Sequence, residues 1–295
     1  RISASNNLIM ILVFGRNGQL AKSLKELYKK DDIFFSSSGD LDLLNTKEII
    51  PYIEKIQPSC IINCSAFNKV DEAEKNEASA LKVNFEAVSE MSSYSFLNSI
   101  PIIHFSSDYV FDGNATSPYT EEDECNPINN YGKSKFLGER AVIDSNAKFL
   151  ILRTSFLYSN TNICFPQIIK KLIDENTQII NGVTDMITSP TYSKNLADAV
   201  LQALPSFMQS NDSGIYHFSD SGSVSRFQFI QELISICKEN DPLLGSVKLS
   251  PVEDSFFQLP AKRPKFSTLL CKKILHDFDI PQQDWKLSLQ DCFLK

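Results

Sequence analysis

Tyr131 and Lys135 are four residues apart in the run Asn126-Pro127-Ile128-Asn129-Asn130-Tyr131-Gly132-Lys133-Ser134-Lys135. On a helix that spacing puts a phenol and an ammonium on one face, one turn apart. Upstream, the apolar run Pro101-Ile102-Ile103-His104-Phe105 ends in Ser106-Ser107-Asp108. Read as a buried strand, it delivers hydroxyls to the phenol and the ammonium. A hydroxyl that holds an oxygen beside a phenol that protonates it makes a proton-transfer site. Four-apart pairs are ordinary on helices. The weight of this one comes from its place, behind such a strand and in a chain that opens with a glycine turn.

Several elements must position these groups. Met10–Phe14 is a short apolar run that ends in Gly15-Arg16-Asn17-Gly18-Gln19-Leu20-Ala21, and a helical pattern follows to about Lys29. Strand, glycine turn and helix in that order bind a dinucleotide diphosphate. Gly15 allows the tight turn, Gly18 lets phosphates reach backbone N–H groups, and Ala21 permits close packing of helix on strand. Ile33–Ser36 reads as the second strand. Ser36, Ser37 and Ser38 stand where NAD-binding folds place an acid for the ribose. Arg16 in the turn is suited to a 2′-phosphate. NADPH is therefore the expected cofactor, with NADH as the alternative. Asp42 and Leu43 follow that strand. The strand Ser59–Asn63 ends in Cys64, Ser65 and Ala66, small enough for adenosine and ribose to lie against backbone. The predicted cofactor contacts are Gly15, Arg16, Asn17, Gly18, Gln19, Leu20, Asp42, Leu43, Cys64, Ser65 and Ala66, with Tyr131 and Lys135. Asp71 and Glu74 read as a solvated face.

Strands alternating with helices as far as Phe149–Arg153 predict an α/β fold, a Rossmann-like doubly wound parallel sheet with a smaller C-terminal substrate lobe. The expected dinucleotide-binding lobe is 10–157, rejoined by about 178–208. The expected substrate lobe is 158–177 with 209–295, and 1–9 reads as an extension. The 295 residues are 42% hydrophobic and 22% charged, which suits a globular chain. A net charge of -7 argues against nucleic acid as a partner. Seven scattered cysteines have neither zinc-finger nor C-x-x-C spacing, so reduced thiols and a cytoplasmic location are expected. No apolar run is long enough to span a membrane. His104 and His217 lie in apolar runs and read as buried structural residues rather than metal ligands.

The turn Gly15–Ala21, the run Ser106-Ser107-Asp108-Tyr109-Val110-Phe111-Asp112-Gly113, and Asn126-Pro127 leading to Tyr131–Lys135 resemble the dTDP-4-dehydrorhamnose reductase family. So do Leu152-Arg153-Thr154-Ser155, Ser189-Pro190-Thr191 and Lys262-Arg263-Pro264. That family is a branch of the extended short-chain dehydrogenase/reductases, and the resemblance runs from Met10 to the C-terminus. It implies NAD(P)H-dependent reduction of the 4-keto group of a dTDP-linked 6-deoxy sugar. The leading expectation is dTDP-4-dehydro-L-rhamnose to dTDP-L-rhamnose, for cell-surface polysaccharide. Tyr131 and Lys135 match the family's catalytic pair, and Ser107 its substrate-oxygen hydroxyl. Lys135 and the oxidised nicotinamide are expected to draw the phenol toward working pH. Substrate contacts are expected from Ser107, Asp108, Tyr109, Phe156 and Arg263.

The chain departs from the family at several points. Phe156 stands where rhamnose-forming members often have Trp, and Phe266 where Asn is usual. Met186 and Thr188 replace the usual Gln and Gly. Ser23 replaces a Glu that joins a metal-bridged dimer in some members, so no metal is expected and monomer and homodimer both stay open. Two other readings share the fold. One is a nucleotide-binding regulatory subunit resembling that of methionine adenosyltransferase. The other is a sugar-nucleotide epimerase, which the missing acid after the second strand disfavours.

Overall fold

In the computed structural model the first half of the chain runs β1 (Ile11–Phe14), α1 (Gln19–Leu27), β2 (Ile33–Ser36), α2 (Ile49–Ile56), β3 (Cys60–Asn63), α3 (Val70–Lys75), α4 (Glu77–Leu81), α5 (Ala87–Leu97), β4 (Ile102–Ser107), α6 (Asn130–Asp144) and β5 (Phe149–Thr154). The second half runs β6 (Leu157–Tyr158), α7 (Phe165–Asp174), β7 (Ile179–Val183), β8 (Ile187–Thr188), β9 (Thr191–Tyr192), α8 (Ser193–Gln209), β10 (Gly214–His217), β11 (Val224–Ser225), α9 (Arg226–Asn240), β12 (Lys248–Val252), α10 (Lys272–Phe278) and α11 (Trp285–Phe293). The structure describes residues 10–161, 164–175, 177–210, 212–240 and 247–293, and the extension expected over 1–9 lies outside them.

Six strands pair in parallel in the order β10-β5-β4-β3-β1-β2. Successive side chains of β1 enter two different cores. Ile11 and Val13 pack with Leu20, Leu24 and Val200, while Leu12 and Phe14 pack with Ile49, Ile53 and Met91. With helices on both faces the strand is apolar at every position, which is why it reads as a run and not an alternation. The strand order reverses at β1, between β2 and β3, and the crevice over the strand ends there is where such sheets bind ligands.

The helical stretch between Glu77 and Leu97 is interrupted. A π-helical turn, Lys82–Glu86, joins α4 to α5 and carries the buried Asn84. Asn84 accepts from the Phe67 N–H at 2.8 Å and donates to the Phe67 carbonyl at 3.0 Å and Ser134 Oγ at 2.9 Å. It thereby fastens the loop after β3 to α6.

A third core gathers Ile180, Phe229, Leu233, Trp285 and Leu289. Two of the expected boundaries change. Ile179–Val183 does not rejoin the main sheet, because it pairs in parallel with Lys248–Val252. The return begins at α8, where Leu196 and Val200 share the core of α1 and Ser193 Oγ meets Ser23 Oγ at 2.8 Å. Gly214–His217, expected in the smaller lobe, is instead the sixth strand beside β5. An apolar strand pattern is the same whichever edge receives it, so pairing was open until the tertiary fold chose it. The seven cysteines are unpaired thiols. No helix of the described residues is long and apolar enough to cross a membrane.

Candidate active site

The glycine turn wraps the end of β1 closely. Gly15 has φ +89°, and a Cβ there would sit 2.9 Å from the backbone of Cys64. The N–H groups of Gly15 and Arg16 both donate to the Ser36 carbonyl, at 3.1 and 2.9 Å. Helix α1 then starts with no side-chain cap and no acid in its first turn. Its first N–H groups lack intrahelical acceptors and favour an anion.

A cleft of about 800 Å³ opens from this turn. Every residue expected to touch the cofactor lines it, from Gly15–Leu20 through Asp42 and Leu43 to Cys64–Ala66. Ser107, Tyr131, Lys135 and Phe156 line the same cleft, as do Ser36, Ser37 and Ser38. Two of its residues carry buried side-chain oxygens without a partner, Gln19 Oε1 and Ser106 Oγ. Arg16 is exposed at its mouth.

Helix α6 is held at its start by long-range contacts. Asn129 caps it, its Oδ1 accepting from the Gly132 N–H at 2.7 Å and its Nδ2 donating to the Lys262 carbonyl at 2.8 Å. Glu74 accepts from the Asn130 N–H at 2.8 Å. Asp71 pairs with Arg263 at 2.6 Å and accepts from the Ala261 N–H at 3.1 Å. The solvated face expected for Asp71 and Glu74 is thus corrected. Both carboxylates have fixed partners, remote in sequence and invisible to any local pattern.

Thus anchored, α6 presents Tyr131 and Lys135 to the end of β4. Tyr131 and Ser107 line the same cleft. Ser107 Oγ donates to Asp108 Oδ1 at 2.9 Å and accepts from the Tyr109 N–H at 3.2 Å. Burial pushes the Tyr131 phenol well above its usual range, against the opposing hydrogen bond from Ser107. In the chain by itself, desolvation of the phenolate outweighs the one favourable neighbour, so burial raises the phenol that Lys135 and the oxidised nicotinamide are expected to lower. Burial also pushes the Lys135 ammonium down to about 8, opposed by Glu139.

Asp108, Tyr109 and Arg263 do not line the cleft. Asp108 is buried beneath it and accepts from Ser155 Oγ at 2.6 Å as well as from Ser107. Tyr109 packs edge-on against Tyr131, with ring centroids 5.7 Å apart. Arg263 is committed to Asp71. Phe156 does line the cleft, held in the left-handed region at φ +40°.

Sequence reasoning missed Arg226. Its guanidinium lies 3.2 Å from the Phe156 ring centroid, and its Nη1 is buried without a partner. Asp108, Tyr109 and Arg263 are the charged and titratable groups around it. Ser225 and Gln228 form a reciprocal capping box that starts α9 at Arg226, with N–H bonds of 3.1 and 2.9 Å. A cation in the first turn of a helix opposes the helix dipole. That mismatch after Ser225 was the signal available in the sequence.

Comparison with known proteins agrees with this architecture. The family model described as RmlD substrate binding domain matches residues 9–295. A dTDP-4-dehydrorhamnose reductase of Sinorhizobium fredii is 33% identical over 94% of this chain and 94% of its own. The dTDP-4-dehydrorhamnose reductase of Bacillus anthracis str. Ames, solved in complex with NADP, superposes with TM-score 0.88 at 31% identity, covering 97% of this chain and 98% of that one. The Clostridium acetobutylicum enzyme of the same description gives TM-score 0.87 at 31% identity, over 96% and 98%. With a cleft of this construction and similarity along its whole length, the chain belongs to the dTDP-4-dehydrorhamnose reductase family of oxidoreductases.

Proposed function

We propose that this protein reduces the 4-keto group of a dTDP-linked 6-deoxy sugar with NADPH, converting dTDP-4-dehydro-L-rhamnose to dTDP-L-rhamnose for polysaccharide assembly. The observation that carries this reading is one cleft lined both by the Gly15–Leu20 turn and by Ser107, Tyr131 and Lys135. The residues fit the cofactor. The uncapped start of α1 suits its diphosphate, and Arg16 with Ser36–Ser38 suits a 2′-phosphate. Gln19 Oε1 and Ser106 Oγ are polar atoms in want of partners at that cleft. When bound, NADPH supplies the hydride. Ser107 holds the carbonyl oxygen, and Tyr131 gives that oxygen its proton. High proton affinity suits a group that must still hold its proton when hydride arrives. Phe156 forms the apolar wall for the pyranose, and Arg226 behind it supplies the positive charge. On this reading the cofactor lobe comprises 10–157 with α8 and β10, and β7, β12, α7, α9 and α11 build the substrate lobe.

The test is an NADPH-oxidation assay on the 4-keto sugar, made in place by the dehydratase and epimerase reactions that must supply it. Turnover is expected, with Tyr131→Phe lowering kcat by at least about 100-fold and leaving NADPH affinity nearly unchanged. A folded, cofactor-binding protein that leaves NADPH unoxidised would remove the assignment. Normal turnover by Tyr131→Phe would remove Tyr131 from the chemistry.

A further inference from the structure

Ser37, just past the end of β2, is not a free donor. The chain turns back there, and the Asp40 and Leu41 N–H groups both reach the Ser37 carbonyl, at 3.0 and 3.1 Å. Leu41 is buried with Phe14, Ile49 and Ile53, so the core pins the turn. That closure brings the Asp40 carboxylate back onto Ser37. A single oxygen, Oδ2, accepts from the Ser37 N–H at 2.8 Å and from Ser37 Oγ at 2.7 Å. These two bonds, with help from the Arg16 guanidinium, hold the carboxyl below its usual range. Asp42, the other acid of this stretch, is turned to the Leu44 N–H at 3.0 Å. Arg16 and Ser36–Ser38 line the cleft, whereas Asp40 lines an adjoining hollow of about 380 Å³ with Asp42, Glu48 and Lys55. A hydroxyl and a backbone N–H each have one proton to give. Both donors of Ser37 are therefore engaged by an anion that belongs to the protein.

We propose that Asp40 is a specificity-determining residue for the cofactor, an internal anion that occupies the donors of the β2 turn and holds down the preference for NADPH over NADH. The proposal rests on the reading of the cleft as the cofactor site. A phosphate monoester brings about 1.5 to 2 negative charges near neutral pH. To take the Ser37 donors, a 2′-phosphate must displace the carboxylate. To take Arg16 alone, it must lie close to that carboxylate. Either route weakens NADPH through like charge. The ribose of NADH has a hydroxyl at the same place, which is uncharged and has a proton of its own to donate. The strand end lacks an acid in sequence, and the turn returns one to it from four residues further on. Asp40 does not line the cleft, so it acts through Ser37 and through its charge.

The test is calorimetric titration of the full chain with NADPH and with NADH, which needs no sugar substrate. Asp40→Asn keeps an oxygen for both Ser37 donors and removes the charge. It should tighten NADPH about 10-fold, the size of one like-charge contact near a surface, and change NADH by less than about 2-fold. Asp40→Ala also frees the two donors and should tighten NADPH at least as much. An unmoved or reduced preference for NADPH in these variants would overturn the proposal. So would weaker binding of both cofactors by Asp40→Ala with parental values restored in Asp40→Asn, the pattern of a residue that only shapes the turn. If neither cofactor binds the parent, the cofactor reading falls and takes the proposal with it. If both bind and their ratio does not move, the proposal alone is removed.

Discussion

Burial acts in opposite chemical senses on the two groups that α6 delivers to the cleft. It disfavours the charged form of each, so Tyr131 is held as a phenol and Lys135 is pushed toward an amine. The third buried group is Arg226, which cannot escape its charge by losing a proton at ordinary pH even though burial brings it down to about 10. Stacking on Phe156 offsets part of the desolvation, an interaction worth about 2 kcal/mol when removed from water. Its Nη1 is a buried donor with no acceptor among the described residues. Arg226→Met keeps the bulk and removes the charge. It should raise KM for the dTDP-sugar about 10- to 100-fold, the equivalent of one hydrogen bond to a charged group, with kcat and NADPH affinity little altered. Initial-rate kinetics against both substrates check this, and an unchanged KM would take Arg226 out of substrate binding.

At the scale of the element, the β1–α1 turn is where the proposed cofactor preference can be tested. Its path is set by Gly15, whose positive φ and closeness to Cys64 leave no room for a side chain. Arg16 follows directly, with its N–H fixed to the Ser36 carbonyl and its exposed side chain helping to lower the Asp40 carboxyl. Ser37 holds Asp40 through its N–H and hydroxyl, at 2.8 and 2.7 Å, which keeps that carboxylate at the serine turn. Arg16→Ala should weaken NADPH by about 1.5–3 kcal/mol and leave NADH nearly unaffected. Fluorescence titration with each cofactor reads the two affinities separately. Equal losses would mean that Arg16 only shapes the turn, and tighter NADH than NADPH binding in the parent would reverse the preference.

Across the whole molecule, a net charge of -7 gives an overall field that does not attract an anion, so the proposed diphosphate sugar would have to be held by local groups. The parts of the molecule are fastened by buried polar contacts as well as by the three hydrophobic cores. Asp220 joins the loop after β10 to the start of α8, accepting from the Tyr192 N–H at 2.9 Å and Asn195 Nδ2 at 2.8 Å. Burial pushes its carboxyl up to about 6, with those hydrogen bonds opposing. A carboxyl whose folded value is raised contributes stability that is complete below its unfolded value near 3.9 and is lost as pH rises through about 6. The contribution is about 3 kcal/mol at most. The stability advantage of the parent over Asp220→Asn should therefore shrink between pH 4 and pH 7. Calorimetric melting of both proteins at the two pH values measures it, and a constant difference would show that Asp220 does not titrate in that range.

Local pattern by itself determined the cofactor side of this protein. A strand, a Gly15 turn and a helix are consecutive in the chain, so residue type and spacing carry their geometry directly. The pairing of Tyr131 with Lys135 on one helical face was legible for the same reason. Only the tertiary structure decided which edge received Gly214–His217 and which strand Ile179–Val183 joined, because an apolar strand does not encode its neighbour. It alone turned Asp71 and Glu74 from surface charges into anchors for Arg263 and α6. It also set burial against the expected lowering of the Tyr131 phenol. Lys135 is one turn away in sequence, but desolvation depends on everything packed around the ring, and that sum exists only once the chain is folded.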